Sequence, residues 1–166
     1  MIIKCIPGGI FLTNCYIIGD EETNEGILID PGEQIDDILA AVKRSGLNIK
    51  MIVNTHTHID HVAGAVDEIE IGKLRAKVLH TPGHTWGSVC LVIDDQVISG
   101  DTLFAGSVGR VDLTGGTSMR ELVRSIKTKL MVLPDTYKVH PGHGPSTTIG
   151  IERRSNPFLT GDLIIL

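Results

Sequence analysis

The sequence predicts an α/β fold in which two mixed sheets pack face to face and helices cover their outer sides. Short apolar runs typical of strands alternate with two amphipathic helical segments along the 166 residues. The order of strands, helix, strand and histidine-bearing loop occurs in each half of the chain, and no linker divides the halves. Elements that are apolar on one side must bury that side, so the repeated order predicts one sandwich domain over residues 1–166.

The first half begins with a predicted hairpin. Apolar runs at Met1–Ile6 and Ile10–Ile18 are split by Pro-Gly-Gly, and Gly26–Asp30 predicts a third strand. Spacings of i, i+3, i+4 and i+7 then predict an amphipathic helix that ends at Gly46. The predicted buried stripe of this helix consists of Ile35, Ile38, Leu39 and Val42. Ile49–Val53 predicts a strand that runs directly into a histidine-rich stretch.

The second half has shorter predicted strands. They lie at Ala76–Leu79, Val89–Ile93, Val97–Ile98 and Tyr137–Val139. The first of them belongs to a predicted hairpin that turns at Gly72 and Lys73. A glycine-rich loop at Ala105–Gly116 precedes a second helix, and Ser118-x-x-Glu121 fits a capping box at its start. The apolar face of this helix consists of Leu122, Val123, Ile126 and Leu130.

The composition argues against several classes of function. A net charge of −5 with no basic stripe argues against a nucleic-acid partner, because phosphate binding needs a basic surface. No apolar run approaches the ~20 residues that span a bilayer, and the N-terminus does not have the pattern of a signal peptide. The three cysteines include no CxxC pair, which predicts reduced thiols packed as small apolar side chains. We therefore expect a cytoplasmic protein without a membrane or nucleic-acid partner.

A cluster of metal-ligand residues follows the fourth predicted strand. His56-Thr-His58-Ile-Asp60-His61 places four candidate ligands within six residues. In extended backbone, residues i and i+2 project to the same side, so His56 and His58 can bind one ion together. The chain then turns, and Asp60 and His61 can bind a second ion nearby. Imidazole and carboxylate are ligands of zinc, iron and manganese, whereas a packing role would require a buried partner for each side chain.

Three further candidates lie at the ends of other predicted strands. His84 follows a Thr-Pro-Gly turn, Asp101 follows Ser-Gly after an apolar run, and His143 lies in Pro-Gly-His-Gly. The alternative to metal ligation is a solvated loop histidine for His84, a turn cap for Asp101 and an ordinary turn for His143. Their shared position, where a strand gives way to a loop, matches that of the main cluster and favours ligation. His80 and His140 are interpreted as structural residues.

The order of these motifs resembles the metallo-β-lactamase superfamily. The resemblance is carried by His56-x-His58-x-Asp60-His61, Thr-Pro-Gly-His84-Thr, Gly-Asp101-Thr-Leu-Phe and Pro-Gly-His143-Gly. Within that superfamily, Gly106–Leu113 and Glu152–Phe158 are similar to segments of the small bacterial glyoxalase II-like (hydroxyacylglutathione) hydrolases. The resemblance implies an αββα sandwich with a dinuclear metal site along the edge where the two sheets meet.

The resemblance also implies a ligand set and a reaction. The implied ligands are His56, His58 and His84 at the first ion, Asp60, His61 and His143 at the second, and Asp101 between them. Zinc is the expected metal, with iron and manganese as alternatives. The implied substrate is a small acyl thioester of the S-lactoylglutathione type. A water held between the two ions would attack it, with Asp60 as the catalytic hydrogen-bond acceptor for that water.

Other functions remain open at this point. A mononuclear iron dioxygenase that acts on persulfides has the same fold with fewer metal ligands. A metal-binding scaffold with little activity would result if the chain has lost residues that the chemistry needs. Hydrolysis of lactones, β-lactams or phosphodiesters at the same site is a further alternative. Arg110 is interpreted either as a substrate-binding cation or as a structural partner of Asp112.

The chain departs from the family pattern in two places. A helical domain that helps hold glutathione in the larger glyoxalase II enzymes has no counterpart, so we expect weak dependence on the glutathione part. Only Val62–Gly83 separates His61 from His84, much less than is usual in the family. We expect this short segment to leave a sheet edge uncovered, and we therefore expect a homodimer rather than a monomer.

Overall fold

The structure, a computed structural model, describes residues 1–8, 10, 12–32, 34–56, 68–113 and 115–161. Within these ranges the chain forms two mixed sheets that pack together, with helices on their outer faces. The predicted αββα architecture is therefore confirmed.

The first sheet is formed by the N-terminal strands. They are β1 (Ile2–Gly8), β2 (Thr13–Gly19), β3 (Glu25–Ile29) and β4 (Asn48–Val53). In the described part of the chain their order is β1-β2-β3-β4, and only β3 and β4 pair in parallel. A parallel pair needs a crossover, which helix α1 (Ile35–Ser45) supplies before ending at Gly46 with a φ of 72°.

The second sheet and its helices follow. The strands are β5 (Glu68–Ile71), β6 (Leu74–His80), β7 (Val89–Ile93), β8 (Gln96–Gly100), β9 (Leu103–Phe104), β10 (Ser107–Val108), β11 (Lys138–Pro141) and β12 (Thr147–Thr148). The helices are α2 (Met119–Ser125), continued by a π-helical turn (Ile126–Leu130), α3 (Ile149–Ser155) and α4 (Pro157–Thr160). Among the described residues the sheet order is β12-β11-β8-β7-β6-β5, with β9 and β10 forming a separate hairpin. β11 pairs in parallel with β8.

The main core lies between the two sheets. It consists of Tyr16, Ile18, Ile27, Ile29, Ile71, Ala76, Leu91, Ile93 and Ile98. Side chains alternate between the faces of a strand, so Cys15 and Ile17 of β2 point to the outer side and pack beneath α1. The helices on the other side of the molecule cover the second sheet through Leu122, Ile126, Leu130, Ile149 and Leu159. The two sheets and two helical layers give the sandwich its four layers.

The first strand is longer than the sequence predicted. β1 continues through Pro7 and Gly8, which pair with Asn14 and Thr13 of β2. The predicted break at Pro-Gly-Gly was therefore wrong at Pro7 and Gly8. An edge strand tolerates proline because one of its sides has no hydrogen-bonding neighbour.

The predicted start of the second helix is confirmed, but the helix changes form before its end. The Ser118 hydroxyl accepts a hydrogen bond from the N–H of Glu121 at 3.1 Å. After Ser125 the helix widens into the π-helical turn, where the N–H of Met131 donates to the carbonyl of Ile126. The Thr128 hydroxyl donates to the carbonyl of residue 124 at 2.8 Å, and such back-bonding competes with the regular helix pattern.

Some of the short elements in the second half were predicted from the sequence, and others were not. The hairpin that turns at Gly72 and Lys73 is confirmed as β5 and β6. The hairpin of β9 and β10, together with β12, α3 and α4, was not predicted. These elements contain two to seven residues each. Hydrophobic periodicity is a weak signal over such short windows.

The cysteines are all free, as expected of reduced thiols. Cys15 and Cys90 are buried, and burial raises the pKa of Cys15 to about 12 and the pKa of Cys90 to about 11. Cys5 is exposed, so the predicted packing role applies to the other two. None of the helices in the described ranges is long and apolar enough to cross a bilayer.

The predicted apolar stripe of α1 is only partly buried. Ile38 is 4% exposed and Val42 packs against the core, whereas Ile35 and Leu39 are 63% and 61% exposed. The prediction was wrong for Ile35 and Leu39, because the buried face of α1 is centred on Ile38 and Ala41. Successive helical residues are rotated by about 100°, which leaves Ile35 and Leu39 on the flank of that face.

The edge strand β4 also exposes apolar side chains. Among the described strands, β3 is the neighbour of β4 on one side, and β4 forms the edge on the other. Met51 and Ile52 are 48% and 60% exposed. An open strand edge with apolar side chains favours pairing with another chain.

We therefore still propose a homodimer, but we move the proposed contact from the side of the Val62–Gly83 segment to the β4 edge. Light scattering after size-exclusion chromatography should give the mass of two 17.9 kDa chains. Ile52→Lys should shift the protein towards the monomer, because it places a charge in the proposed contact. Val132→Lys serves as the control, since Val132 is 70% exposed but follows the π-helical turn in the layer that covers the second sheet. A monomeric mass at every concentration would rule out the dimer.

Candidate metal centre

Strand ends from both sheets meet at one edge of the sandwich. β6, β8 and β11 run in the same direction, because β7 lies antiparallel between β6 and β8 and β11 is parallel to β8. His84, Asp101 and His143 follow the C-terminal ends of these three strands. His56 follows the end of β4 in the first sheet. The shared edge thus brings together side chains that are far apart in the sequence.

One carboxylate oxygen of Asp101 lies close to three imidazole rings. Its Oδ2 is 3.9 Å from Nε2 of His56, 3.7 Å from Nε2 of His84 and 3.4 Å from Nε2 of His143. The rings of His56 and His84 meet edge to face, with centroids 4.9 Å apart. The side chain of His84 is buried, whereas that of His143 is 37% exposed. The centre therefore has a buried side and a side that a substrate can approach.

The donor set fits a divalent metal ion. Ligand atoms of His56, His84 and Asp101 all lie within 4.8 Å of one another. A tetrahedral ion with bonds of ~2.0–2.1 Å separates neighbouring ligand atoms by ~3.3–3.4 Å, close to the distances around Asp101 Oδ2. Asp101 Oδ1 is buried and has no hydrogen-bond partner among the described residues. Two imidazoles and a carboxylate in this arrangement suit zinc, iron or manganese.

A backbone carbonyl orients His84. Nδ1 of His84 is 2.7 Å from the carbonyl oxygen of Arg110. A carbonyl oxygen only accepts hydrogen bonds, so Nδ1 carries a proton, and in the neutral ring Nε2 then keeps its lone pair. Nε2 is the atom that faces Asp101. Contacts of this kind orient metal-binding histidines and fix their tautomer.

A side-chain relay orients His56. The N–H and hydroxyl of Thr55 both donate to the Asp30 carboxylate at 2.6 Å. With its proton directed to Asp30, the Thr55 hydroxyl accepts a hydrogen bond from Nδ1 of His56 at 3.1 Å. Burial raises the pKa of Asp30 above its ordinary value, and the bonds from Thr55 act in the opposite direction. The sequence analysis missed Asp30, although it too lies at a strand end.

Two glycines permit the close approach of backbone to Asp101. A Cβ atom at Gly142 would lie 2.2 Å from Oδ1 of Asp101. A Cβ atom at Gly109 would lie 1.8 Å from the carbonyl oxygen of the same residue. Both separations are far below van der Waals contact, so any larger residue would displace the aspartate.

Asn14 of β2 holds the loop that carries His143. Its N–H donates to the carbonyl of Gly142 at 2.7 Å. Its Nδ2 donates to the carbonyls of Pro141 and Gly144, each at 3.0 Å. Asn14 is 5% exposed, and its partners lie 127 and 130 positions away in the sequence. The sequence analysis missed it, because a single polar residue in an apolar run does not indicate such distant partners.

Arg110 has the structural role that was one of its two predicted interpretations. Its Nε and Nη2 atoms donate to the two carboxylate oxygens of Asp112, each at 2.7 Å. The Arg110 guanidinium lowers the pKa of Asp112 to about 2. The pair is exposed, so its contribution to stability is small. The carbonyl of Arg110, rather than its charge, is the part that contacts the metal centre.

His80 and His140 bond to groups outside the metal centre. Nε2 of His80 lies 2.8 Å from the carbonyl of Trp86. Nε2 of His140 lies 2.8 Å from Oε1 of Gln96, and its Nδ1 lies 3.0 Å from the hydroxyl of Ser146. Burial lowers the pKa of His140. These contacts agree with the structural interpretation of both residues.

The remaining predicted ligands, His58, Asp60 and His61, lie outside the described residues. Their assignment to the two ions stays a prediction. The structure brings together the other four members of the predicted set, which are His56, His84, Asp101 and His143.

The fold and the centre define an αββα sandwich with a metal-binding site at its edge. A family model described as the metallo-beta-lactamase superfamily matches residues 8–72 and 65–143. This chain belongs to the metallo-beta-lactamase superfamily. The match is split into two parts that overlap at residues 65–72, so the split falls within the short segment between His61 and His84.

The relatives of this chain include a hydrolase and proteins of known crystal structure. The hydroxyacylglutathione hydrolase GloC of Haemophilus influenzae is 33% identical over 210 residues, covering 96% of this chain and 98% of GloC. The crystal structure of ETHE1 from Myxococcus xanthus has a TM-score of 0.88 and 34% identity, covering 97% of this chain and 85% of ETHE1. A di-iron-bound crystal structure of TTHA1623 has a TM-score of 0.81 and 32% identity, covering 94% of this chain and 100% of TTHA1623. The similarity to GloC confirms the glyoxalase II-like resemblance.

Asn14→Asp should destabilise the protein with little change in side-chain volume. The carboxylate cannot donate hydrogen bonds, so its negative charge would face the carbonyl oxygens of Pro141 and Gly144. We expect the free energy of unfolding to fall by about 1–3 kcal/mol, measured by urea denaturation of the metal-free protein. The same change at the exposed Asn48 should stay within about 0.5 kcal/mol of the wild type. Equal stability of the two variants would contradict the role assigned to Asn14.

Proposed function

We propose that this chain is a two-metal hydrolase that cleaves small acyl thioesters, with S-acylglutathione compounds such as S-lactoylglutathione as the substrate class. The observation that carries the proposal is the position of Asp101 Oδ2, within 3.9 Å of Nε2 atoms from both implied ion sites. His56 and His84 belong to the first implied site, and His143 belongs to the second. The similarity to a hydroxyacylglutathione hydrolase supports the substrate class.

The chain's own residues would hold and orient the two ions. Asp101 lies where a carboxylate can serve both ions, and the Nε2 lone pairs of His56 and His84 face it. When bound, two divalent ions lower the pKa of a water between them and polarise the carbonyl of the substrate. Zinc is the metal we propose first, with iron and manganese as alternatives, and a di-iron-bound neighbour supports iron. Asp60 is proposed as the hydrogen-bond acceptor for the attacking water.

A thioester suits this set of residues. The leaving group is a thiolate, and thiols have pKa values near ~8.5. It can therefore leave without a dedicated proton donor. The partly exposed side chain of His143 on one side of the centre provides an approach for the scissile carbonyl. A cytoplasmic location is also proposed, and the free cysteines support it.

A second function, that of a mononuclear iron persulfide dioxygenase, is favoured by one specific observation. His56, His84 and Asp101 form a group of two histidines and one carboxylate within 4.8 Å. Two histidines and a carboxylate with open positions are the ligand set of non-haem iron oxygenases. A pruned scaffold that binds metal with little activity is the third alternative.

Metal content should distinguish one ion from two. We expect two ions per chain in the wild type after metal-replete purification, measured by elemental analysis. Asp101→Ala should lose more metal than His58→Ala, because a carboxylate between two ions serves both. His80→Gln should keep both ions, since His80 contacts the Trp86 carbonyl rather than the metal centre. One iron per chain would favour the dioxygenase, and wild-type protein without metal would contradict both enzymatic functions.

A substrate panel should distinguish the reactions. We expect cleavage of S-lactoylglutathione and of simpler acyl thioesters, with kcat/KM values that differ by less than about tenfold, or ~1.4 kcal/mol. The physical reason is that the Arg110 guanidinium is paired with Asp112, so binding a glutathione carboxylate there would first require breaking that pair. Thiol release measures the cleavage. Oxygen uptake with glutathione persulfide, without thioester cleavage, would overturn the hydrolase in favour of the dioxygenase.

A further inference from the structure

The segment Glu152–Phe158 carries two buried polar side chains that do not belong to the metal centre. Glu152 is 1% exposed and Asn156 is 0% exposed. They lie on α3 and at the start of α4, outside the second sheet. Burying a carboxylate is unfavourable unless donors compensate it. Glu152 has no ion pair among the described residues, so its position depends on hydrogen bonds.

These two side chains hold one short piece of backbone by both its donor and its acceptor. Oε2 of Glu152 accepts from the N–H of Gly106 at 2.9 Å. Nδ2 of Asn156 donates to the carbonyl of Ser107 at 2.9 Å and to Oε2 of Glu152 at 2.8 Å. Oδ1 of Asn156 accepts from the N–H of Phe158 at 3.1 Å, which fixes the direction of the amide. The Gly106–Ser107 backbone is thus tied to the helices.

The same piece of backbone leads directly to the metal centre. Ser107 begins β10, which pairs with β9. Gly109 follows, and its N–H donates to the carbonyl of Thr102 at 3.3 Å while its Cα packs against the backbone of Asp101. Arg110 comes next, and its carbonyl accepts the proton of His84 Nδ1 at 2.7 Å. Only Val108 and Gly109 therefore separate the anchor at Ser107 from Arg110, whose carbonyl orients His84.

We infer that Glu152 and Asn156 are positioning residues of the metal centre. They hold the β9–β10 hairpin so that the Arg110 carbonyl fixes the tautomer and direction of the His84 imidazole. The inference rests on the metal binding of the proposed function, but it concerns a contact that exists without metal. A substitution of Glu152, which lies outside the metal centre, should therefore alter the tautomer and direction of the His84 imidazole through the hairpin.

Glu152→Met is the variant that removes the anchor. Methionine has a similar length but cannot accept from Gly106 or Asn156. Glu152→Gln is the conservative rescue, because its amide oxygen can still accept from Gly106 while its NH₂ group donates to the Thr147 hydroxyl. Thr147→Val is the matched control, since Thr147 donates to Oε1 of the same carboxylate at 2.7 Å, whereas Gly106 of the hairpin donates to Oε2.

Two measurements read out the position of His84. The affinity for Co²⁺ alone, measured by competition with a chelator, should fall by about tenfold or more in Glu152→Met, as is typical for loss of an outer contact to a metal ligand. Glu152→Gln and Thr147→Val should stay within about threefold of the wild type, allowing for ordinary scatter between variants. In the metal-free protein, the proton signal of His84 Nδ1 should be visible by NMR in the wild type and in both of these variants. It should be lost in Glu152→Met.

The outcomes separate the inference from the proposed function. If Glu152→Met is less stable but binds Co²⁺ with wild-type affinity and keeps the His84 signal, Glu152 is only structural and the inference is wrong. If the wild type binds no Co²⁺, the proposed function fails, and the His84 signal of the metal-free variants still decides the inference. Should Glu152→Met not fold, Asn156→Ser provides the test. Serine can cap α4 but cannot reach the carbonyl of Ser107, so the same loss of affinity and signal is expected.

Discussion

The centre depends on bringing three imidazole rings to one carboxylate oxygen, Oδ2 of Asp101. Removing polar groups of this kind from water is unfavourable unless each gains a partner. Hydrophobic packing would not gather them, so the surrounding backbone must hold each ligand in place. The required approach is close enough that a Cβ at Gly109 or Gly142 would collide with the aspartate. The backbone at this edge of the sandwich therefore depends on Gly109 and Gly142 to leave room for Asp101.

Each ligand near Asp101 is held from a different part of the fold. The Arg110 carbonyl orients His84, Thr55 orients His56, and Asn14 holds the loop of His143. Asn14 belongs to the first sheet, whereas the loop that it holds follows a strand of the second sheet. Its hydrogen bonds thus join the two halves at the point where the ligands meet. Because a metal ion would bind to groups from both halves, metal affinity and folding stability should be linked.

The sequence was sufficient for features with a local repeat or a dense cluster of ligand residues. Period and turn signals predicted α1 and the β5–β6 hairpin, and the position of Asp101 at a strand end indicated the shared edge. The sequence was insufficient where a residue acts through partners far along the chain, as Asn14 and Glu152 do. It also failed for Leu39, because the burial of a helical side chain depends on the layer beneath it as well as on helical period.

The described part of the short Val62–Gly83 segment, residues 68–83, supports the turn that carries His84. β6 lies within this segment and pairs with β7, and the N–H of Thr81 donates to the carbonyl of Ser88 at 2.8 Å just before the turn to His84. The support of His84 is therefore present. Among the described residues 68–83 no large apolar side chain is exposed, whereas Ile35 and Leu39 of α1 and Met51 and Ile52 of β4 are. An alignment of 210 positions with GloC, against 166 residues here, shows that GloC contains residues that this chain lacks. Since the four described ligands depend on strands that remain, shortening of this kind should reduce stability before it disturbs the geometry at Asp101.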